Sequence, residues 1–149
     1  MTLLHLNTLQ PERFKSVIVI GAQIYFSKYE KEWHKRIGMN EFMEWAEPHG
    51  PEKQKVLARQ FFQMDNLYGD PSFTPDILGT IKAKWLVVQG DNDDAVPLQQ
   101  AIEMHQNIPN SRLWIVPNGG HLPHLNPDNQ SEFLKVTLEF LNGKWDKKD

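Results

Sequence analysis

The chain has 149 residues, 40% of them apolar, and a net charge of −3, which fits one ordinary domain with a modest core. That charge gives no electrostatic case for nucleic acid or an anionic membrane, and the lack of cysteine excludes disulfides and thiolate metal sites. No apolar run reaches the roughly 18–20 residues of a bilayer span, and Met1-Thr2-Leu3-Leu4-His5-Leu6 lacks the basic region of a signal peptide, so a soluble cytoplasmic protein is expected.

Residues 1–10 read as a helix with Leu3, Leu6 and Leu9 or Leu4 on one side, ended by Pro11. No capping residue precedes it, as though the chain had been cut in its middle. Ser16 to Ala22 contains Val17-Ile18-Val19-Ile20, a β-branched run closed by Gly21 and expected to be a strand buried on both faces. From 27 to 70 the pattern changes. Tyr29, Trp33 and Ile37 lie at helical spacing, Phe42 and Trp45 precede the Gly50-Pro51 break, and Leu57, Phe61, Met64 and Tyr68 form another helical stripe. Two or three short amphipathic helices without a strand predict a helical insertion.

Trp85-Leu86-Val87-Val88-Gln89 is a second predicted strand, stopped by Gly90. Leu98 to Ile108 is a predicted helix with Ala101, Met104 and Ile108 inward, closed by Pro109. Leu113-Trp114-Ile115-Val116 is a third strand, stopped by Pro117-Asn118-Gly119-Gly120. Gln130 to Leu141 is the last helix, facing inward with Phe133, Thr137, Phe140 and Leu141, and Gly143 lies just past its end. Strands alternating with helices predict an α/β chain with three parallel strands, right-handed crossovers and flanking helices. Residues 1–26 and 71–149 would form the core, with 27–70 inserted as a helical cap or lid.

In a parallel sheet, function collects on loops at the carboxyl ends of the strands. Two such loops carry chemistry. Gly90-Asp91-Asn92-Asp93-Asp94-Ala95-Val96-Pro97 holds three acids; taken alone it reads as a solvated loop, and it lacks the central Gly and distal Glu of a calcium loop. Asn118-Gly119-Gly120-His121-Leu122-Pro123-His124 holds two histidines, too few for a metal centre. Its paired glycines are expected to allow a sharp turn and to leave room beside His121. Together, an acid loop after one strand and a histidine loop after the next form the later two members of a Ser…Asp…His order. The carboxylate would fix the imidazole tautomer, and the other ring nitrogen would move the nucleophile's proton.

The stretch from Asp76 to Leu141 resembles the end of the α/β-hydrolase fold. That pattern has an Asp and an Ile before a strand, then G-x-x-D-x-x-V-P, a strand leading to G-H, and a closing helix with F-L. This chain shows Gly90-x-x-Asp93-x-x-Val96-Pro97, Gly120-His121 and Phe140-Leu141. Lys84 stands where many relatives place a proline. The N-terminal stretch through Pro11-Glu12-Arg13 and the strand ending Gly21-Ala22 resembles the helix and strand that follow the nucleophile elbow. The resemblance implies a C-terminal half beginning just after that elbow, similar to bacterial esterases, lipases or C–C hydrolases. It assigns Asp93 as triad acid, not Asp91 or Asp94, and His121 as base, not His124. It implies an ester-like small-molecule substrate for the intact enzyme and no metal or organic cofactor.

The elbow G-x-S-x-G itself is nowhere in the sequence: Ser16, Ser27, Ser72, Ser111 and Ser131 all lack glycines at both flanking positions. Serine and oxyanion hole are then both missing, so the chain alone is expected to be inactive. Val17 to Ile20 is expected to present an open strand edge, inviting self-association or a partner chain. A non-catalytic binding or assembly module and one half of a split hydrolase are the alternatives. Trp33, Trp45, Phe61, Phe62 and Tyr68 either line an apolar acyl pocket or pack the insertion's own small core.

Overall fold

A computed structural model describes residues 2–26, 56 and 72–146. Residues 1–24 and 73–149 form one compact unit. The insertion expected at 27–70, with its helices and aromatic rings, lies outside the described residues. In chain order the elements are α1 (Thr2–Leu9), β1 (Ser16–Ile20), α2 (Pro75–Gly79), β2 (Lys84–Gly90), α3 (Leu98–Asn107), β3 (Ser111–Val116) and α4 (Pro127–Leu141). The strands form a parallel sheet in the order β1-β2-β3, with Val17 opposite Trp85 and Val87 opposite Leu113. Two parallel neighbours in sequence order, each reached through helix, put the strand ends that bear Gly21, Gly90 and Val116 on one rim.

β2 is the strand buried on both faces: Trp85, Leu86, Val87, Val88 and Gln89 are all fully buried. That distinction was expected of β1, and the structure corrects it. Val17 and Val19 are buried, but Ser16, Ile18 and Ile20 are only half-buried. β1 has a single strand neighbour among the described residues, so its side chains are covered from one side less than those of β2. Ile18 and Ile20 pack beside Leu86, Val88, Val116, Val136 and Phe140, which form the core under α4. Burying the Phe140 ring there contributes about 1.5–3 kcal/mol.

The inward face predicted for α3 is the observed one: Ala101, Met104 and Ile108 are buried. The end helices need correction. On α1 the buried residues are Leu4 and Asn7, while Leu3, Leu6 and Leu9 are exposed. Leu4 and Asn7, one turn apart, share the covered side of the helix, and Leu3, Leu6 and Leu9 fall on its exposed side. α4 begins at Pro127 rather than Gln130, because Asn126 caps it by accepting from the Asp128 N–H at 3.1 Å and proline suits the first turn. Its buried residues are Val136, Thr137 and Phe140, whereas Leu141 is exposed. Beyond it, the Gly143 and Lys144 N–H groups donate to the Phe140 and Glu139 carbonyls, the paired bonds that close a helix on a left-handed residue.

α2 was not anticipated. Thr74, Pro75 and Asp76 start it, the Thr74 hydroxyl accepting from the Ile77 N–H at 3.4 Å. Lys84 does more than replace a proline: its N–H donates to the Lys15 carbonyl at 3.1 Å, and its Nζ pairs with Asp146 at 3.0 Å. Proline has no N–H for that bond. Among the described residues, no helix is long and apolar enough to cross a membrane.

Candidate active site

The two loops predicted to carry chemistry meet at the carboxyl ends of β2 and β3. Backbone bonds join them before any side chain does: Asp91 N–H donates to the Val116 carbonyl at 3.3 Å and Asn92 N–H to the Gly119 carbonyl at 2.9 Å. The contact needs glycine on both sides. A Cβ on Gly90 would run into the backbone of Gly119 and Gly120, and one on Gly119 would lie 3.1 Å from the Gly90 Cα. The paired glycines therefore serve close approach at Gly119, not the sharp turn expected of them. The left-handed residue of the turn is Asn118, at φ 56°. Asparagine is one of the few side chains that adopt this conformation readily.

Asp93 is fixed by its own loop. Its Oδ1 accepts from the Ala95 and Val96 N–H groups, both at 2.8 Å. Its Oδ2 lies 3.0 Å from His121 Nδ1 and accepts from Gln89 Nε2 at 2.6 Å. The Asp93 side chain is completely covered, while that of His121 is 42% exposed. Burial alone would raise the Asp93 pKa. Hydrogen bonds from Val96, His121, Ala95 and Gln89 outweigh it and hold the carboxyl below its ordinary value of 3.8. Asp93 is thus ionised at neutral pH and cannot donate, so the proton between the pair sits on Nδ1. In a neutral ring this leaves Nε2 as the free base.

His121 is set from a third direction. Gly21 follows β1 at φ +54°, its N–H donating to the Val88 carbonyl at 3.1 Å. A Cβ there would lie 2.6 Å from the His121 carbonyl oxygen and 2.9 Å from Nδ1. The room beside His121 comes from Gly21, not from the glycines preceding it in sequence; at Gly120 a Cβ would meet nothing within 4 Å. Just beyond, the Ile24 N–H donates to buried Gln100 Oε1 at 2.9 Å, tying the segment after β1 to α3.

The imidazole faces a cleft of about 570 Å³ lined by Leu3, Ile18, Ile20, Val96 and Leu122 among others. His124 also borders it, but its ring packs on Phe133 with centroids 5.3 Å apart and makes no contact with Asp93. Asp91 and Asp94 are exposed and take no part in the pair. The arrangement therefore brings Asp93 and His121 together and leaves the neighbouring acids and histidine apart. Gln89 and Gly21 are the residues that sequence reasoning missed. Among the described residues, no three or more His, Asp or Glu side chains converge as metal ligands.

A model of the prolyl oligopeptidase family matches residues 1–148. Over 64 residues the chain is 38% identical to a 2-hydroxy-6-oxo-6-phenylhexa-2,4-dienoate hydrolase of Burkholderia cepacia, covering 43% of this chain and 22% of that protein. It is 36% identical over 64 residues to a 2-hydroxy-6-oxononadienedioate/2-hydroxy-6-oxononatrienedioate hydrolase of Comamonas testosteroni, with the same coverage of 43% and 22%. Among solved structures, an α/β-hydrolase enzyme from a Medee basin deep-sea metagenome superposes with a TM-score of 0.69 at 18% identity, over 99% of this chain and 62% of that one. A serine hydrolase from Cycloclasticus zankles superposes with a TM-score of 0.63 at 21% identity, over 97% of this chain and 61% of that one. The likeness shows the fold: the parallel three-stranded sheet with flanking helices of this chain matches part of the α/β-hydrolase fold of those structures. The chain spans about three-fifths of their length.

Proposed function

The chain belongs to the prolyl oligopeptidase family, and on that premise we propose that it carries the acid, Asp93, and the base, His121, of a serine hydrolase. The observation that supports this most is the 3.0 Å contact of His121 Nδ1 with the buried Asp93 carboxylate on the rim of a parallel sheet. In the reaction, Nε2 of His121 takes the proton of an attacking serine hydroxyl while that oxygen bonds to a carbonyl carbon. Asp93 stays ionised and stabilises the imidazolium. The same proton then passes to the leaving group as the tetrahedral intermediate collapses, and water repeats the cycle on the acyl-enzyme.

On this reading the nucleophile and oxyanion donors would come from a segment other than these 149 residues, in which no serine lies within G-x-S-x-G. The cleft beside His121 is where that segment docks, along β1, whose outer edge has no strand partner among the described residues. The substrate is an ester or related carbonyl compound. The names of the Burkholderia and Comamonas relatives favour a C–C bond next to a carbonyl as a second reading within the same mechanism.

The 149-residue chain by itself is expected to bind no serine-directed fluorophosphonate and to hydrolyse no activated ester. Labelling that one serine substitution abolishes would overturn this. Supplying a nucleophile-bearing chain should restore hydrolysis, and Asp93→Asn or His121→Ala should each abolish it. A restored activity indifferent to both changes would remove the pair from the mechanism. An alternative, a binding or assembly module, draws on the same unpaired edge of β1 and predicts that a partner binds equally well to both variants.

A further inference from the structure

Gln89 occupies the penultimate position of β2 and is completely buried. One amide proton of Nε2 goes to Asp93 Oδ2 at 2.6 Å, the oxygen that also receives His121. The other goes to the Val96 carbonyl at 3.1 Å. Among the described residues its own Oε1 is buried without a hydrogen-bond partner. The amide orientation is unambiguous, because exchanging its oxygen and nitrogen would set an acceptor against a carboxylate and a carbonyl. A methionine would fill similar space without leaving a buried acceptor unsatisfied, so a purely packing role does not account for glutamine here.

We propose that Gln89 is a positioning residue for the Asp93–His121 pair; the inference rests on the reading of that pair as acid and base. Two backbone donors of its own loop hold Oδ1, and rotation about the Cβ–Cγ bond would carry both oxygens off their donors. The Gln89 donor acts on Oδ2 itself, the oxygen that receives the ring, and stiffens the plane further. The plane sets the direction from which Nδ1–H must approach, and with it where Nε2 points. By holding Asp93 and Val96 at once, Gln89 also fixes the loop between them against the strand that precedes it.

The test uses the 149-residue chain, labelled with ¹⁵N, and reads the His121 ring nitrogens and their bound proton by NMR. In the parent chain the ring should be in the Nδ1–H form with a slowly exchanging proton. In Gln89→Met the amide spectrum should remain that of a folded chain, while the His121 proton becomes fast-exchanging and the ring moves toward the tautomer mixture of free imidazole. Gln89→Leu, of similar size and with no donor at all, should give the same loss, which keeps the test open if the methionine variant fails to fold. Val136→Ala, a core truncation on the inner face of α4, should lower stability and leave the ring unchanged. A His121 proton as protected in both Gln89 variants as in the parent would overturn the role of Gln89 and leave the pair standing. A parent ring lacking the Nδ1–H form would overturn the pair itself.

Discussion

The acid loop after β2 and the histidine loop after β3 meet at one hydrogen bond but are held in opposite ways. Every oxygen position of Asp93 is met by a donor, two from its own backbone and one from its own strand, and its side chain is wholly covered. Among the described residues His121 has one polar partner, Asp93, and it stands 42% exposed at a cleft. Its other constraint is steric, the bare Cα of Gly21 beneath the ring and carbonyl. A carboxylate that must stay ionised while buried needs donors on all sides. A base that must exchange protons with a substrate needs one ring nitrogen fixed and the other reachable. On the proposed reading of the pair as acid and base, the difference between the loops fits those two requirements.

The contrast is most directly broken by removing each partner in turn. Asp93→Ala would strand the Ala95 and Val96 N–H groups, Gln89 and His121 together, and is expected to cost about 3–5 kcal/mol of stability. His121→Ala removes one hydrogen bond from a partly exposed ring and should cost only about 1–2 kcal/mol. Urea unfolding of the two variants measures the difference, and equal losses would show that the loops are supported alike. Gly21→Ala tests the steric constraint. A left-handed φ plus a Cβ 2.6 Å from the His121 carbonyl oxygen should cost roughly 2–4 kcal/mol and displace the ring from Asp93. Retention of the Nδ1–H signal of His121 in that variant would mean the ring does not depend on Gly21.

The smallest effect is in the pH dependence. The Asp93 pKa is lower in the folded chain than its ordinary value, so folding favours the ionised form. The stability this supplies is fully present above the unfolded-state pKa of about 3.9 and is lost as pH falls through the lower folded value. The acid limb of the stability curve, below about pH 4, should therefore flatten in Asp93→Asn. Asp94→Asn, at an exposed neighbour, should leave stability within about 0.5 kcal/mol of the parent. An acid limb that Asp94→Asn flattens and Asp93→Asn does not would reverse the assignment of the two acids.

Much of the sheet could be read along the chain, because its evidence is local. The apolar run at 85–88 and the 3.6-residue spacing of Ala101, Met104 and Ile108 each declare their burial within a few residues. The spacing Gly90-x-x-Asp93-x-x-Val96-Pro97, on which the resemblance rests, places Asp93 where its carboxylate caps backbone groups two and three residues ahead. Where local patterns misled, the cause was a neighbour. β1 alternates because of its place in the sheet, α1 buries Leu4 because of the side that meets the unit, and Leu141 is exposed because Val136 and Phe140 already face the sheet. The early start of α4 and the existence of α2 were in principle legible from Asn126-Pro127 and Thr74-Pro75, the capping signals of both helices.

By itself the sequence determined the alternation of strands and helices and the two chemically loaded loops, since these follow from spacing and side-chain type, while singling out Asp93 and His121 within those loops rested on the resemblance to the α/β-hydrolase pattern. Only the tertiary structure decided what holds the two residues in place: Gln89 beneath the carboxylate, Gly21 beneath the imidazole, and Gly90 against Gly119 between them. Parallel strands bring together residues far apart in the chain, and neither a vacancy at a Cβ nor a donor aimed at a carboxylate has any signature in the order of residues on one strand.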